Sequence, residues 1–250
     1  MYGTDFSEKD MAFGKENRMG LEVFKYADPG FADAFDRHHP TVTGWLDGVQ
    51  GRSMHGAYVD TFYTSKDPLI CEVVRRRFVQ SVNVAAFHGI SHVVFHSGYR
   101  QFFDGASARV TQDFIKAAAD FWQGFEENIP PGVKVFIENV EDETPDILAE
   151  LIRRVDSPNI GCCFDIGHAH CNSKVPLDQW VGVLGSLIGH VHVHDNHGDS
   201  DAHLPLGKGN APLADVMEKV LLTAGDTVPF VAECSLPASE KWLKEAGFMP

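Results

Sequence analysis

Residues with metal-ligand chemistry recur in this chain directly after short runs of β-branched and aromatic residues. The segments are Met54-His55-Gly56, Phe95-His96-Ser97-Gly98, Ile137-Glu138-Asn139, Phe164-Asp165-Ile166-Gly167-His168, His190-Val191-His192-Val193-His194-Asp195 and Ala232-Glu233-Cys234. Imidazole nitrogens and carboxylate oxygens together suit a divalent cation such as Zn, Mn, Co or Mg. A single histidine or glutamate after a strand is ordinarily a hydrogen-bonded structural group. Six strand ends of this kind in one chain call for a shared site.

The run His190 to His194 is the clearest case. In a strand, side chains alternate, so His190, His192 and His194 share one face and Val191 and Val193 the other. At about 3.3 Å per residue, His190 and His194 stand about 13 Å apart, so the three cannot share one ion. His192 is the preferred ligand, with His190 deeper and His194 at the mouth. Asp165 and His168 are three apart in a turn, and Asp201-Ala202-His203 places a carboxylate and an imidazole on the same side of an extended loop. Cys162, Cys163 and Cys171 lack C-x-x-C spacing and read as packing thiols.

Positioning such residues requires regularly spaced strands. Strands are predicted near Leu21–Lys25, Ser53–Ala57, His92–His96, Lys134–Glu138, Ile160–Asp165, His190–His194 and Pro229–Glu233, with a weak, polar first one at Met1–Asp5. Amphipathic helical patterns lie between them at Pro68–Phe87, Ala108–Phe125, Thr144–Val155, Leu177–Leu187 and Ala211–Ala224, with a short last one at Ala238–Ala246. Eight units in 250 residues is about 31 residues each, the size expected for a single (β/α)8 TIM barrel occupying residues 1–250. A doubly wound open sheet is the alternative, but its Gly-rich phosphate turn is missing. The six chemistry-bearing segments fall at the carboxyl ends of strands, where barrel enzymes build their sites. His38-His39 before Pro40 read as a solvated loop.

With 35 acidic residues against 21 Lys plus Arg, the net charge is −14, which opposes a duplex DNA backbone as partner. No apolar stretch approaches the roughly 20 residues of a membrane-spanning helix. Five cysteines, two of them adjacent, do not suit a disulfide framework, and the first ten residues lack the features of a signal peptide, so a cytoplasmic location is expected.

The segments also resemble a known family, the xylose isomerase-like TIM-barrel superfamily (AP endonuclease family 2), which includes sugar and sugar phosphate isomerases and epimerases together with endonuclease IV. The resemblance runs from about Leu21 to Glu233. It is carried by His55-Gly56-Ala57-Tyr58, Phe95-His96-Ser97-Gly98-Tyr99, Ile137-Glu138-Asn139, Asp165-Ile166-Gly167-His168, the His190–Asn196 segment, Asp201-Ala202-His203-Leu204-Pro205-Leu206-Gly207-Lys208-Gly209 and Glu233, in that order. The resemblance implies one divalent ion on Glu138, Asp165, His192 and Glu233. Members similar to endonuclease IV use a fuller set for up to three zinc ions, whose added positions match His55, His96, His168, Asp201 and His203.

Two enzymatic readings follow, with a non-catalytic metal or sugar binder as a third. The first is a metal-dependent isomerase or epimerase of a small sugar, sugar phosphate or polyol-derived ketone. Glu138 and Glu233 would pass the proton, with His168 on a substrate oxygen and a metal-stabilised enediolate between. The second is a zinc phosphoesterase resembling endonuclease IV, acting on a small phosphoester rather than DNA. Tyr58, Tyr99, Arg100, His203 and Lys208, with Phe62, Phe102 and Phe103, are candidates to line the substrate pocket. Enzymes of this resemblance are frequently homo-oligomers, but nothing in the chain counts subunits.

Overall fold

The computed structural model describes residues 8–249. Seven parallel strands form one sheet in sequence order: β1 Leu21–Val23, β2 Arg52–His55, β3 His92–His96, β4 Lys134–Glu138, β5 Ile160–Asp165, β6 Ile188–Val193 and β7 Phe230–Ala232. This is a nearly closed TIM barrel with helices in the connections. The seven predicted strands from Leu21 onward coincide with β1 to β7; the Met1–Asp5 strand lies outside the described residues.

The helices follow from local chemistry. Asp67 caps Pro68–Phe87 by accepting the Leu69 N–H, with Pro68 at the first helical position, where its missing N–H costs nothing. Ser107 caps Ala108–Gln123 in the same way through the Val110 N–H. Helix Pro145–Val155 turns Ile147, Leu148, Leu151, Ile152 and Val155 inward and ends at Asp156 in the left-handed conformation. One expectation is corrected: His38, His39 and Pro40 lie inside a helix, Phe35–Leu46, not in a solvated loop. His38 stacks on Phe31 at 3.9 Å and His39 on Phe35 at 5.1 Å, and these ring contacts hold the helix despite the proline.

Strand alternation divides the interior in two. Val135, Ile137, Val191 and Val193 face the helices and join the main core, while Phe136, Val94 and Cys163 form a separate cluster in the lumen. Phe136 needs space there. A Cβ at Gly189 would stand 2.3 Å from its ring and one at Gly161 3.2 Å, so these two strand positions are occupied by residues without side chains. His92 and His190 lie against the same ring at 4.7 and 5.7 Å, closing the barrel floor beneath the strand ends. Among the described residues, no helix is long and apolar enough to cross a membrane.

Outside the strands, Trp122 is fully buried and stacks on Phe78 at 5.4 Å, with Phe95 and Phe125 at 5.6 and 5.5 Å. Replacing Trp122 with Ala is expected to cost about 3–5 kcal/mol in urea unfolding, the cost of a cavity of that size in a close-packed core. A loss below about 1 kcal/mol would show that this aromatic cluster is not a unit of the core.

Candidate metal centre

Ligand atoms of Glu138, Asp165, His192 and Glu233 lie within 4.8 Å of one another at the carboxyl ends of β4, β5, β6 and β7. Register brings them there. Asp165 pairs directly with His192 across β5 and β6, and Glu233, one residue past β7, donates its N–H to the Val193 carbonyl and reaches His192 with its side chain. All four are buried. The His192 Nδ1 stands 3.0 Å from Glu138 Oε1 and 3.1 Å from Glu233 Oε1. Asn139 fixes Asp165 by a two-way clasp: its amide accepts the Asp165 N–H at 2.9 Å and donates to the Asp165 carbonyl at 2.9 Å. One Asp165 oxygen caps the helix Ile166–Asn172 through the His168 N–H, and the other, Oδ2, has no hydrogen-bond donor.

Two further groups adjoin this quartet. His55 and His96 approach Glu138 Oε2 at 3.4 and 3.7 Å. His168, His194, Asp201 and His203 form the other group, with Asp201 at 3.4 Å from His168, 3.4 Å from His194 and 3.0 Å from His203. The loop carrying Asp201 and His203 is organised by Asp195, whose two oxygens accept the N–H groups of Asn196, Gly207, Gly209 and Ala211. An antiparallel bridge from Asp195 to Leu204 closes it. His203 has a φ of 43°, a left-handed conformation uncommon for histidine, held by its Nδ1–H donating to the Glu233 carbonyl at 3.0 Å.

Hydrogen-bond partners fix which ring nitrogens are available. A carbonyl oxygen can only accept, so the Nδ1 atoms of His55, His168 and His203, bonded to the carbonyls of Gly56, Asn139 and Glu233, carry protons. Their Nε2 atoms point at Glu138 or Asp201. His192 is reversed and presents Nδ1. Buried polar atoms without hydrogen-bond partners include Glu138 Oε2, Asp165 Oδ2 and both nitrogens of His194. Such orphaned donors and acceptors fit a divalent cation, which would satisfy them together.

The electrostatics agree with that fit. Burial raises the Glu138 carboxyl, but the His192 charge and hydrogen bonds from His168, His192 and His55 outweigh it and hold Glu138 well below the usual carboxylate range. Burial lowers His192 and His168, yet the facing carboxylates win, so both are held well above an ordinary histidine. Desolvation takes His96 down to about 3, which leaves a neutral, ligand-ready imidazole.

Other expected site residues are distributed differently. Tyr58 sits among the ligands, its ring 5.2 Å from His55 and 4.9 Å from His96. Tyr99 is buried and donates its hydroxyl to Glu143. The Arg100 guanidinium lies over Phe62 at 3.8 Å and Phe103 at 4.8 Å and pairs with Asp104. Lys208 is exposed, in the loop held by Asp195. Glu22 on β1, in contact with His190 and His192, did not emerge from the sequence; its only signal is a carboxylate alternating with Leu21 and Val23. His194, which the sequence puts at the mouth without marking it as a ligand, joins the Asp201 group.

The family model described as a xylose isomerase-like TIM barrel matches residues 19–250. An uncharacterized protein of Methanocaldococcus jannaschii is 38% identical over 96 residues, 36% of this chain and 33% of that protein, so the match spans about a third of that relative's length. Among solved structures, a D-tagatose 3-epimerase-like protein superposes with a TM-score of 0.71 at 24% identity, covering 91% of this chain and 87% of that one. A zinc-bound IOLI protein superposes with a TM-score of 0.72 at 16% identity, covering 97% and 92%.

Because protonated imidazoles occupy the centre, binding a divalent ion near neutral pH must displace protons. Their raised pKa values set the sign: affinity is expected to rise with pH as His168 and His192 give up those protons. Calorimetry in two buffers of different ionisation enthalpy is expected to show release of on the order of one proton or more per ion. Proton-neutral binding would contradict this charge arrangement.

Proposed function

The chain belongs to the xylose isomerase-like TIM-barrel family, and from that premise we propose that it is a divalent-metal-dependent isomerase or epimerase of a small sugar, sugar phosphate or polyol-derived ketone. One observation carries the reading: Glu138 and Glu233 flank the His192 Nδ1 at 3.0 and 3.1 Å inside a buried four-ligand group. The epimerase-like fold neighbour and the zinc-bound one support the substrate class and the metal.

The ion would be held by Glu138, Asp165, His192 and Glu233, and when bound supplies positive charge to an oxygen that becomes anionic. The protein's own groups account for the proton movement. One of the two glutamates takes the proton from the carbon beside the substrate carbonyl, and the other returns a proton on the opposite side or to the neighbouring carbon. No atom is gained or lost, and either the configuration or the carbonyl position changes. His168 hydrogen-bonds a substrate oxygen, and its Nδ1 contact with Asn139 holds the ring in place. Tyr58 offers an apolar ring face for the carbon skeleton, and His203 and Lys208 reach a distal hydroxyl or phosphate. Tyr99 and Arg100 shape the pocket wall through Glu143, Phe62 and Phe103.

A second reading has its own support. The His55/His96 pair and the His168/His194/Asp201/His203 group both adjoin the quartet, and Glu138 belongs to two of the groups. Two or three ions arranged this way suit hydrolysis of a small phosphoester. The charge of −14 disfavours DNA as its substrate.

Glu138→Gln and Glu233→Gln are each expected to lower kcat by about 10²-fold or more, and to abolish solvent-deuterium incorporation at the reacting carbon. Wild-type exchange in either variant would overturn the two-carboxylate mechanism. Elemental analysis of wild type and of His55→Ala/His96→Ala separates the readings. One ion retained by the double variant supports the isomerase; two or three ions, some lost in the variant, support the hydrolase.

A further inference from the structure

Beneath the quartet, four buried or half-buried polar side chains run down to the barrel floor. His192 Nε2 approaches Glu22 Oε1 at 3.0 Å, His190 Nε2 donates to Glu22 Oε2 at 3.1 Å, and His190 Nδ1 lies 3.3 Å from His92 Nδ1. Glu22 is 3% exposed and both histidines of β6 are fully buried. Glu22 Oε1 and His192 Nε2 lie outside ideal hydrogen-bond alignment, and neither has another hydrogen-bond partner among the described residues. A carboxylate can only accept, so in the metal-free protein both His192 nitrogens carry protons, Nδ1 toward Glu138 and Glu233 and Nε2 toward Glu22, and an ion in the quartet would displace the one on Nδ1.

Ligand atoms of Glu22, His190 and His192 also lie within reach of a common cation. The inner quartet argues against an ion there. His192 would have to offer Nδ1 to one cation and Nε2 to a second, which requires a doubly deprotonated ring between two charges. A proton on Nε2 avoids this and leaves the Nδ1 lone pair for the quartet. The bonding pattern then continues without ambiguity: His190 spends its Nε2–H on Glu22, its Nδ1 accepts, and His92 donates.

We propose that Glu22 is a positioning residue, a floor carboxylate that holds His192 with Nε2 protonated and so dedicates Nδ1 to the ion. Backbone carbonyls do this for His55, His168 and His203, but His192 lies within a strand and has a side chain instead. This inference rests on the metal reading above. Carboxylate partners of ligating histidines orient the ring, and losing one typically weakens metal binding 10–100-fold.

The test uses the full chain, with zinc as probe and nitrogen-15 labelled histidine. Glu22→Gln leaves one acceptor for two donors and turns an amide N–H₂ toward one ring. It is expected to weaken zinc binding about 10–100-fold in a chelator competition, read at a temperature where the metal-free variant is folded. The His192 Nε2–H resonance of the zinc-loaded wild type is expected to disappear or exchange between tautomers. Glu22→Asp, which keeps the charge but is shorter, is expected to recover part of the affinity and serves if Glu22→Gln does not fold. Zinc affinity within about twofold of wild type, with the Nε2 proton retained, would overturn the proposal. A wild type that takes up no zinc would defeat the metal reading instead. In that case the metal-free protein still decides on Glu22: an Nε2 proton equally protected in wild type and Glu22→Gln rejects it.

Discussion

The rest of the structure depends on one buried carboxylate. Glu138 is 1% exposed, and four imidazoles converge on it, His192 at 3.0 Å, His55 and His168 at 3.4 Å and His96 at 3.7 Å. An ionised carboxylate removed from water is costly unless charged or hydrogen-bonded partners compensate it. His192, His168 and His55, all held above an ordinary histidine, provide that compensation in the metal-free protein while His96 stays neutral, and a divalent cation can take their place. Each strand end around the mouth contributes to one charge balance centred on β4, so displacing one ligand leaves charge uncompensated on the others.

The barrel serves that balance by clearing space and immobilising loops. Gly167 stands so close to His194 that a Cβ would lie 2.2 Å from its ring, and Gly56 is equally confined by Phe95 at 2.1 Å. The two imidazoles His194 and His203 stack at 3.8 Å, with His203 held in its left-handed conformation. Asp195 gathers the loop that carries Asp201, and Gly209 is required there because a Cβ would meet the Asn196 carbonyl at 2.2 Å. These are close approaches of backbone to rings and to a carbonyl, typical of sites where geometry matters more than local stability.

Much of this was legible from residue order. Strand positions from Leu21 onward and the inward face of β6 follow from period-two alternation, because valines on one face and histidines on the other leave a single workable orientation in a barrel. Long helices such as Pro68–Phe87 announce themselves through cap and periodicity. Other features depend on contacts between distant segments. Glu22 meets His190 across 168 residues, and no local pattern marks it as their partner. Tyr99 follows the His96 strand end as a pocket residue would, yet its fate is set by Glu143, 44 residues away. The helix through Pro40 is stabilised by ring stacking onto Phe31 and Phe35, which outweighs the local proline signal.

The metal centre proposed above consists of Glu138, Asp165, His192 and Glu233. An anomalous difference map from crystals grown with zinc, collected on both sides of the zinc edge, tests it directly. A peak is expected at about 2.0–2.2 Å from a ligand atom of each of these four residues, the ordinary range for zinc with imidazole and carboxylate. A strongest peak elsewhere in the barrel, or none at this position in saturating zinc, would contradict it.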